Sequence, residues 1–239
     1  LAALGLDFTV VQAFDQAFAA VTAEAFVDRL TGSLPGLRAV YVGENFRYGK
    51  GRTGDVDRLI ADCRAAGVDL VSASRLRQNG EPISSTRIRL ALEAGRLGQV
   101  NCLLGYPYTS TGTIISGRAL GRTIGFPTVN LPWEPELKPP HGVYAVRFRR
   151  LEAAGSTAFP WVPGVANYGV RPTVTEGEVK PLLEIHAFEH GDTLGPGQTH
   201  EVHWLQFLRP ETRFDGLDAL KAQIALDVAA AKERLTKKP

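Results

Sequence analysis

The sequence predicts an α/β part, with helices covering a parallel sheet, followed by an all-β part that forms a small antiparallel barrel closed by a helix. Three observations predict this. Strand-like and helix-like stretches alternate over residues 1–104, and such alternation implies parallel strands with crossover helices. From about Tyr106 the helical periodicity gives way to short alternating runs separated by turns rich in glycine and proline. Leu217, Leu220, Ile224, Val228 and Leu235 then recur at helical spacing. The boundary between the parts falls near residues 105–108, which gives domains 1–105 and 106–239.

The first part starts with Phe8-Thr9-Val10-Val11, an apolar run suited to a strand. Thr22 can cap a helix through Leu30 that stops at Gly32. Leu37 to Val42 is strand-like. Asp55 can cap a second helix with Leu59, Ile60 and Cys63 on one face, ending near Gly67. Val68 to Ser72 returns as a strand. A doubly wound sheet opens with a strand and a glycine-containing turn, and no such opening occurs. The region therefore reads as the back part of a Rossmann-like domain. Ser84, Ser85 and Thr86 precede a helix that runs to Ala94 and is closed by Gly95. They are either plain N-caps or, with Arg87 or Arg89, a phosphate seat on a helix N-terminus. Gly43 to Asp55, with Asn45 in it, is a glycine-rich basic loop that reads as a solvated connection or as a second site element.

In the second part, strands are expected at Ser110–Ser116, Gly142–Arg149, Trp161–Ala166, Leu182–Phe188 and Glu201–Leu208. The last helix begins near Leu217, and Asp215 can cap it. Two stretches carry candidate chemistry. Gly117, Gly121 and Gly125 recur every four residues, with Arg118 and Arg122 between them. Glycine lets backbone N–H groups crowd round a phosphate, and arginine adds forked cationic donors. Phe126-Pro127-Thr128-Val129-Asn130 follows. Pro127 pushes Phe126 into an extended conformation. Thr128 and Asn130 then share a face, two hard neutral oxygen donors suited to Mg2+. The alternative for the whole stretch is a surface turn. In Leu183–Phe188, Glu184, His186 and Phe188 share one strand face. Glu184 is either a solvated strand residue or a general base. His200 and His203 face opposite sides of a strand, so a histidine metal site is not expected.

Composition sets bounds. The chain has 239 residues, 44% hydrophobic and 22% charged, ordinary for a globular protein. No apolar run spans a bilayer and no signal peptide is visible, so a soluble protein without membrane partners is expected. A net charge of +2 gives no argument for nucleic acid. Two isolated cysteines, Cys63 and Cys102, form no disulfide framework, and a cytoplasmic location fits. No methionine occurs, position 1 included, so an upstream segment is expected. Oligomeric state is not readable from this sequence.

The sequence resembles the bacterial bifunctional riboflavin kinase/FAD synthetases, over nearly its whole length. The blocks are Gly121–Asn130, Gly142-Val143-Tyr144, Gly169-Val170-Arg171-Pro172-Thr173, Glu184-Ile185-His186 and Leu208-Arg209-Pro210-Glu211, in that order. The resemblance implies a six-stranded barrel that transfers the γ-phosphate of MgATP to the 5′-hydroxyl of riboflavin, giving FMN. It implies nucleotide binding by Gly117 to Asn130, Mg2+ on Thr128 and Asn130, and Glu184 as base. It also implies flavin binding by Gly142, Val143, Tyr144 and Arg209, in a slot between barrel and closing helix. Val129 stands where the family usually has alanine. The first part resembles an FMN adenylyltransferase module through Gly43-Glu44-Asn45-Phe46, Gly54-Asp55 and Ile83-Ser84-Ser85-Thr86-Arg87. The family's His-x-Gly-His turn does not occur in these residues. The chain as it stands is thus expected to make FMN and not FAD, while the parent protein makes both. Two other classes stay open: a nucleotidyltransferase with a regulatory barrel, and a flavin- or nucleotide-binding module without catalysis.

Overall fold

A computed structural model of the chain describes residues 5–117, 120–151, 159–170, 181–189 and 194–236. The chain divides into two compact units, Leu1–Pro82 and Ile83–Pro239.

In the first unit α1 (Gln16–Ala19) and α2 (Ala23–Ser33) precede β1 (Ala39–Gly43), and α3 (Val56–Ala65) leads to β2 (Asp69–Ala73). Each helix start has a side-chain cap. Asp15 accepts from Phe18 N–H, Thr22 from Ala25 N–H and Asp55 from Arg58 N–H. β1 and β2 pair in parallel, Ala39 opposite Asp69 through Gly43 opposite Ala73. Ala23, Val27, Tyr48, Leu59, Cys63 and Val68 form the core beneath them. Ile60, expected on the buried face of α3, is 40% exposed. A short hairpin, β3 (Arg77–Gln78) with β4 (Glu81–Pro82), ends the unit. The expected strand at Phe8–Val11 does not form. Phe8 and Val11 are each 90% exposed, and no neighbouring strand pairs with them among the described residues. Apolar composition alone does not hold a strand without a ladder partner.

The second unit opens with α4 (Ser85–Glu93) and α5 (Leu97–Leu104). β5 (Tyr108–Thr113), the short α6 (Leu120–Thr123), β6 (Val129–Pro132), β7 (Gly142–Arg150), β8 (Val162–Val170), β9 (Pro181–Ala187), β10 (Thr199–Pro210) and α7 (Leu217–Thr236) follow. The six strands form one antiparallel sheet in the order β5-β10-β7-β8-β9-β6. The segment just after β5 meets β6 through an isolated antiparallel bridge between Ile115 and Asn130, which closes the barrel. Trp204, Tyr144, Tyr168, Phe148, Leu131 and Leu183 fill the interior. Ala91, Leu92, Leu97 and Val100 of α4 and α5 belong to that same core. Asn101 fixes the contact, donating to the Trp204 carbonyl at 2.9 Å and accepting from Tyr108 N–H at 2.7 Å. α7 packs on the other sheet face, with Ala231, Val228 and Leu235 against Val143, Ala145 and Val165.

Two predictions follow from this packing. Leu97 is 1% exposed and lies well before the first barrel strand, yet it sits in the barrel core. Leu97→Ala should destabilise the second unit by about 2–5 kcal/mol in denaturant titrations; an unchanged midpoint would show that α5 is an appendage. His200, expected on the face opposite His203, is 1% exposed beside Phe148, and its Nε2 has no partner among the described residues. Burial depresses its pKa from the usual 6.5, so the fold holds it neutral. The unfolded chain binds that proton first. Stability is therefore full above the unfolded pKa near 6.5 and is lost as pH falls from there through the folded value. Unfolding midpoints measured between about pH 7 and 5 should fall for the native sequence and fall less for His200→Gln.

Candidate active site

The site is a consequence of strand register. Asn130 on β6 pairs with Glu184 on β9, Glu184 with Asn167 on β8, Asn167 with Val143 on β7, and Val143 with Arg209 on β10. Residues directly opposite in antiparallel strands project to the same face. All five accordingly line one cavity of roughly 250 Å³ on the sheet face that carries α7. Phe214, Leu220, Ile224 and Asp227 supply the facing wall. The alternate β9 residues Leu183, Ile185 and Ala187 point into the core at 0%, 1% and 8% exposure. Glu184 is itself only 9% exposed, so it is not a solvated strand residue.

Thr128 and Asn130 line this cavity and also a second one of roughly 210 Å³, shared with Gly117, Arg122, Pro127, Leu194 and Pro196. The two cavities meet at those two side chains. The glycines next to them are held by close approach. A Cβ on Gly117 would lie 1.7 Å from the Asn130 amide nitrogen, and one on Gly121 would lie 2.2 Å from the Phe126 carbonyl oxygen and 3.1 Å from Thr128 Oγ1. Neither position accepts a side chain without displacing Asn130 or the Phe126 backbone. The loop is tied down by Phe126 N–H donating to the Gly121 carbonyl at 2.8 Å. The donors gathered here, a hydroxyl and a primary amide beside an exposed arginine, suit a hard cation and phosphate oxygens.

Most of the sequence candidates meet in these cavities. Gly121, Phe126, Thr128, Asn130, Val143, Glu184 and Arg209 line the first, and Gly117, Arg122, Pro127, Thr128 and Asn130 the second. Arg118 lies outside the described residues, as do Arg171, Pro172 and Thr173. Gly125 lines neither cavity. Val129 turns toward the core and the second cavity. Gly142 and Tyr144 are not in the first cavity. Tyr144 is one residue on from Val143 and therefore on the opposite face of β7, fully buried, with its hydroxyl donating to the Pro140 carbonyl. Its pKa is pushed up by burial. Ser84 caps α4 by accepting from Arg87 N–H at 3.2 Å, and Ser85 to Arg87 form its first turn; neither they nor Asn45, which follows β1, line the two cavities.

Arg209 is committed to the protein. Its Nε and Nη2 donate to Asp227 Oδ1 and Oδ2 at 2.8 and 2.7 Å. Asp227 is 6% exposed and also accepts from Gln223 at 2.9 Å. This forked pair pins α7 to the end of β10 and so sets the width of the first cavity. Asp227, Asn167 and Glu211 were not among the sequence candidates. Asn167 donates to Glu211 Oε1 at 3.1 Å, which joins β8 to the segment beyond β10. Glu211 ends the Leu208–Glu211 block and so carries a sequence signal; the others are single polar residues with no local pattern.

Comparison with known proteins agrees with this architecture. Residues 104–235 match the riboflavin kinase family model, and residues 1–87 match that of FAD synthetase. The bifunctional riboflavin kinase/FMN adenylyltransferase of Escherichia coli (strain K12) is 40% identical over 233 residues, covering 98% of this chain and 72% of that protein. Its counterpart in Bacillus subtilis (strain 168) is 34% identical, covering 94% and 68%. A crystal structure titled macrolide-efflux protein, from Streptococcus pneumoniae, has a TM-score of 0.76 at 25% identity and covers 94% of this chain and 68% of that one. No helix among the described residues is long and apolar enough to cross a membrane. The antiparallel sheet of six strands with its C-terminal helix is the riboflavin kinase fold, and the chain belongs to the bifunctional riboflavin kinase/FMN adenylyltransferase family.

Proposed function

We propose that the second unit phosphorylates riboflavin at its 5′-hydroxyl with ATP, giving FMN and ADP. The observation that carries this reading is the pair of cavities that meet at Thr128 and Asn130, with Glu184 on the wall of one and Arg122 on the wall of the other. The first cavity, between apolar strand residues and Leu220 and Ile224 of α7, takes the flavin ring. The second takes the phosphate chain of ATP. Glu184 accepts the proton of the ribityl hydroxyl as its oxygen bonds to the γ-phosphorus and the bond to the bridging β,γ-oxygen breaks. Thr128 and Asn130 would hold Mg2+, and the glycines beside them fit that role because their lack of Cβ leaves room for both donors. When bound, Mg2+ neutralises phosphate charge. The protein's own contribution is to orient the two substrates in line and to keep water out. Catalysis thus resides after residue 105, although α4 and α5 complete the barrel's core. Small-molecule substrates and a cytoplasmic setting suit this reading.

A second activity, adenylyl transfer from ATP to FMN, is favoured by the match of residues 1–87 to FAD synthetase and by the names of the relatives. The His-x-Gly-His turn that the resemblance leads one to expect is not in these residues. Product analysis with FMN, ATP and Mg2+ measures whether this half turns over.

Two variants test the kinase reading. Thr128→Ala removes one oxygen at the meeting point of the cavities and should nearly abolish FMN formation from riboflavin and MgATP in a protein that still folds. Native turnover in that variant sinks the assignment of Thr128 to the metal and phosphate site. Glu184→Gln keeps the shape but loses the proton acceptor, and kcat should fall by about 10²–10⁴-fold. A native rate and pH–rate profile would instead make Glu184 a structural residue.

A further inference from the structure

We infer that His186 is a positioning residue for phosphoryl transfer, holding Thr128 in place through the backbone of Pro127. The inference rests on the kinase reading above. His186 Nδ1 lies 2.9 Å from the Pro127 carbonyl oxygen. A carbonyl can only accept, so Nδ1 carries the proton and donates. The imidazole also meets the Phe126 ring edge-on, with centroids 5.4 Å apart. One side chain therefore grips two successive residues immediately before Thr128. The grip matters because Pro127 has no N–H of its own with which to anchor the segment. Phe126 N–H is bonded on the other side, to Gly121. The Thr128 loop is thus clamped between α6 and β9. His186 shares a face of β9 with Glu184, and both line the first cavity. The strand that presents the base therefore also holds the loop that presents the metal and phosphate donors. A shift of that loop relative to Glu184 would misalign the attacking oxygen and the γ-phosphorus together, and misplacement of about 1 Å can cost about 10²-fold in rate.

The experiment compares three substitutions in the full chain. His186→Phe keeps an aromatic ring against Phe126 but has no donor. His186→Asn places an amide N–H close to where Nδ1 stood. His186→Gln carries the same amide one methylene farther out. Riboflavin phosphorylation is measured at varied Mg2+ with ATP fixed, alongside thermal unfolding. The expected result is that His186→Phe lowers kcat about tenfold to a hundredfold and raises the half-saturating Mg2+. His186→Asn should restore most of both, and His186→Gln should not. Native kcat and Mg2+ dependence in His186→Phe, or an Asn variant no better than the Gln variant, overturns the inference. If His186→Phe does not fold, the Asn and Gln pair decides. No FMN formation by the native chain from riboflavin and MgATP is failure of the kinase reading itself, whereas an active Thr128→Ala protein removes the role of Thr128 and overturns this inference with it. An inactive Thr128→Ala protein beside a fully active His186→Phe protein overturns this inference alone.

Discussion

The site depends on the hydrogen-bonded register of five neighbouring strands. Asn130, Glu184, Asn167, Val143 and Arg209 come from parts of the chain up to about eighty residues apart, yet the ladder sets them in one row across the sheet. A slip of one residue in any strand would turn its member of the row into the core and bring an apolar neighbour out. The core enforces the register, because Leu183, Ile185, Leu131 and Tyr168 are almost fully buried on the other face. The barrel's packing energy and the placement of its polar row are therefore one constraint seen from two sides.

Closure ties the row to the phosphate loop. The bridge from Ile115 to Asn130 uses the backbone of the same residue whose amide side chain lies between the cavities. Asn130 thereby has its backbone bound in the barrel seam, and its side chain is 8% exposed and hemmed in by Gly117. A donor that is already fixed before a ligand arrives loses little freedom on binding, which is what positioning requires. α7 is fixed by a different device. The Arg209–Asp227 pair is mostly buried and forked, with Gln223 adding a third donor to the carboxylate. Removing one partner of such a pair leaves a buried charge uncompensated. The cavity wall that α7 supplies is therefore set independently of the phosphate loop.

How much of this was legible in the sequence follows from the range of each interaction. Thr22, Asp55 and Ser84 were readable as helix caps because capping joins residues three apart. The alternation in Leu183–Phe188 put Glu184 and His186 on one face for the same local reason. α5 carries no local signal: it spans only Leu97–Leu104 and starts at Arg96 without a side-chain cap. Tyr144 was carried over with its block, although its neighbour Val143 faces the cavity and strand alternation turns Tyr144 inward. Asn167 and Asp227 were invisible because each owes its place to a partner that only the folded register or the α7 docking supplies. Phe8–Val11 shows the converse, an apolar run that reads as a strand but gains no ladder partner.

The division of the wall between two cavities also bears on how such a protein tolerates change. On the proposed reading, the flavin slot and the phosphate cavity share Thr128 and Asn130 and little else. Substitutions among Leu220, Ile224 and Phe214 alter the slot's shape without touching the phosphate donors, while changes at Gly117 reach Asn130 directly. Val129 lies between the two. Its side chain turns toward the core and the second cavity and not into the row with Glu184. Strand alternation keeps a substitution at 129 out of the row with Glu184 by one pleat, so its effect falls on the core and on the wall of the second cavity.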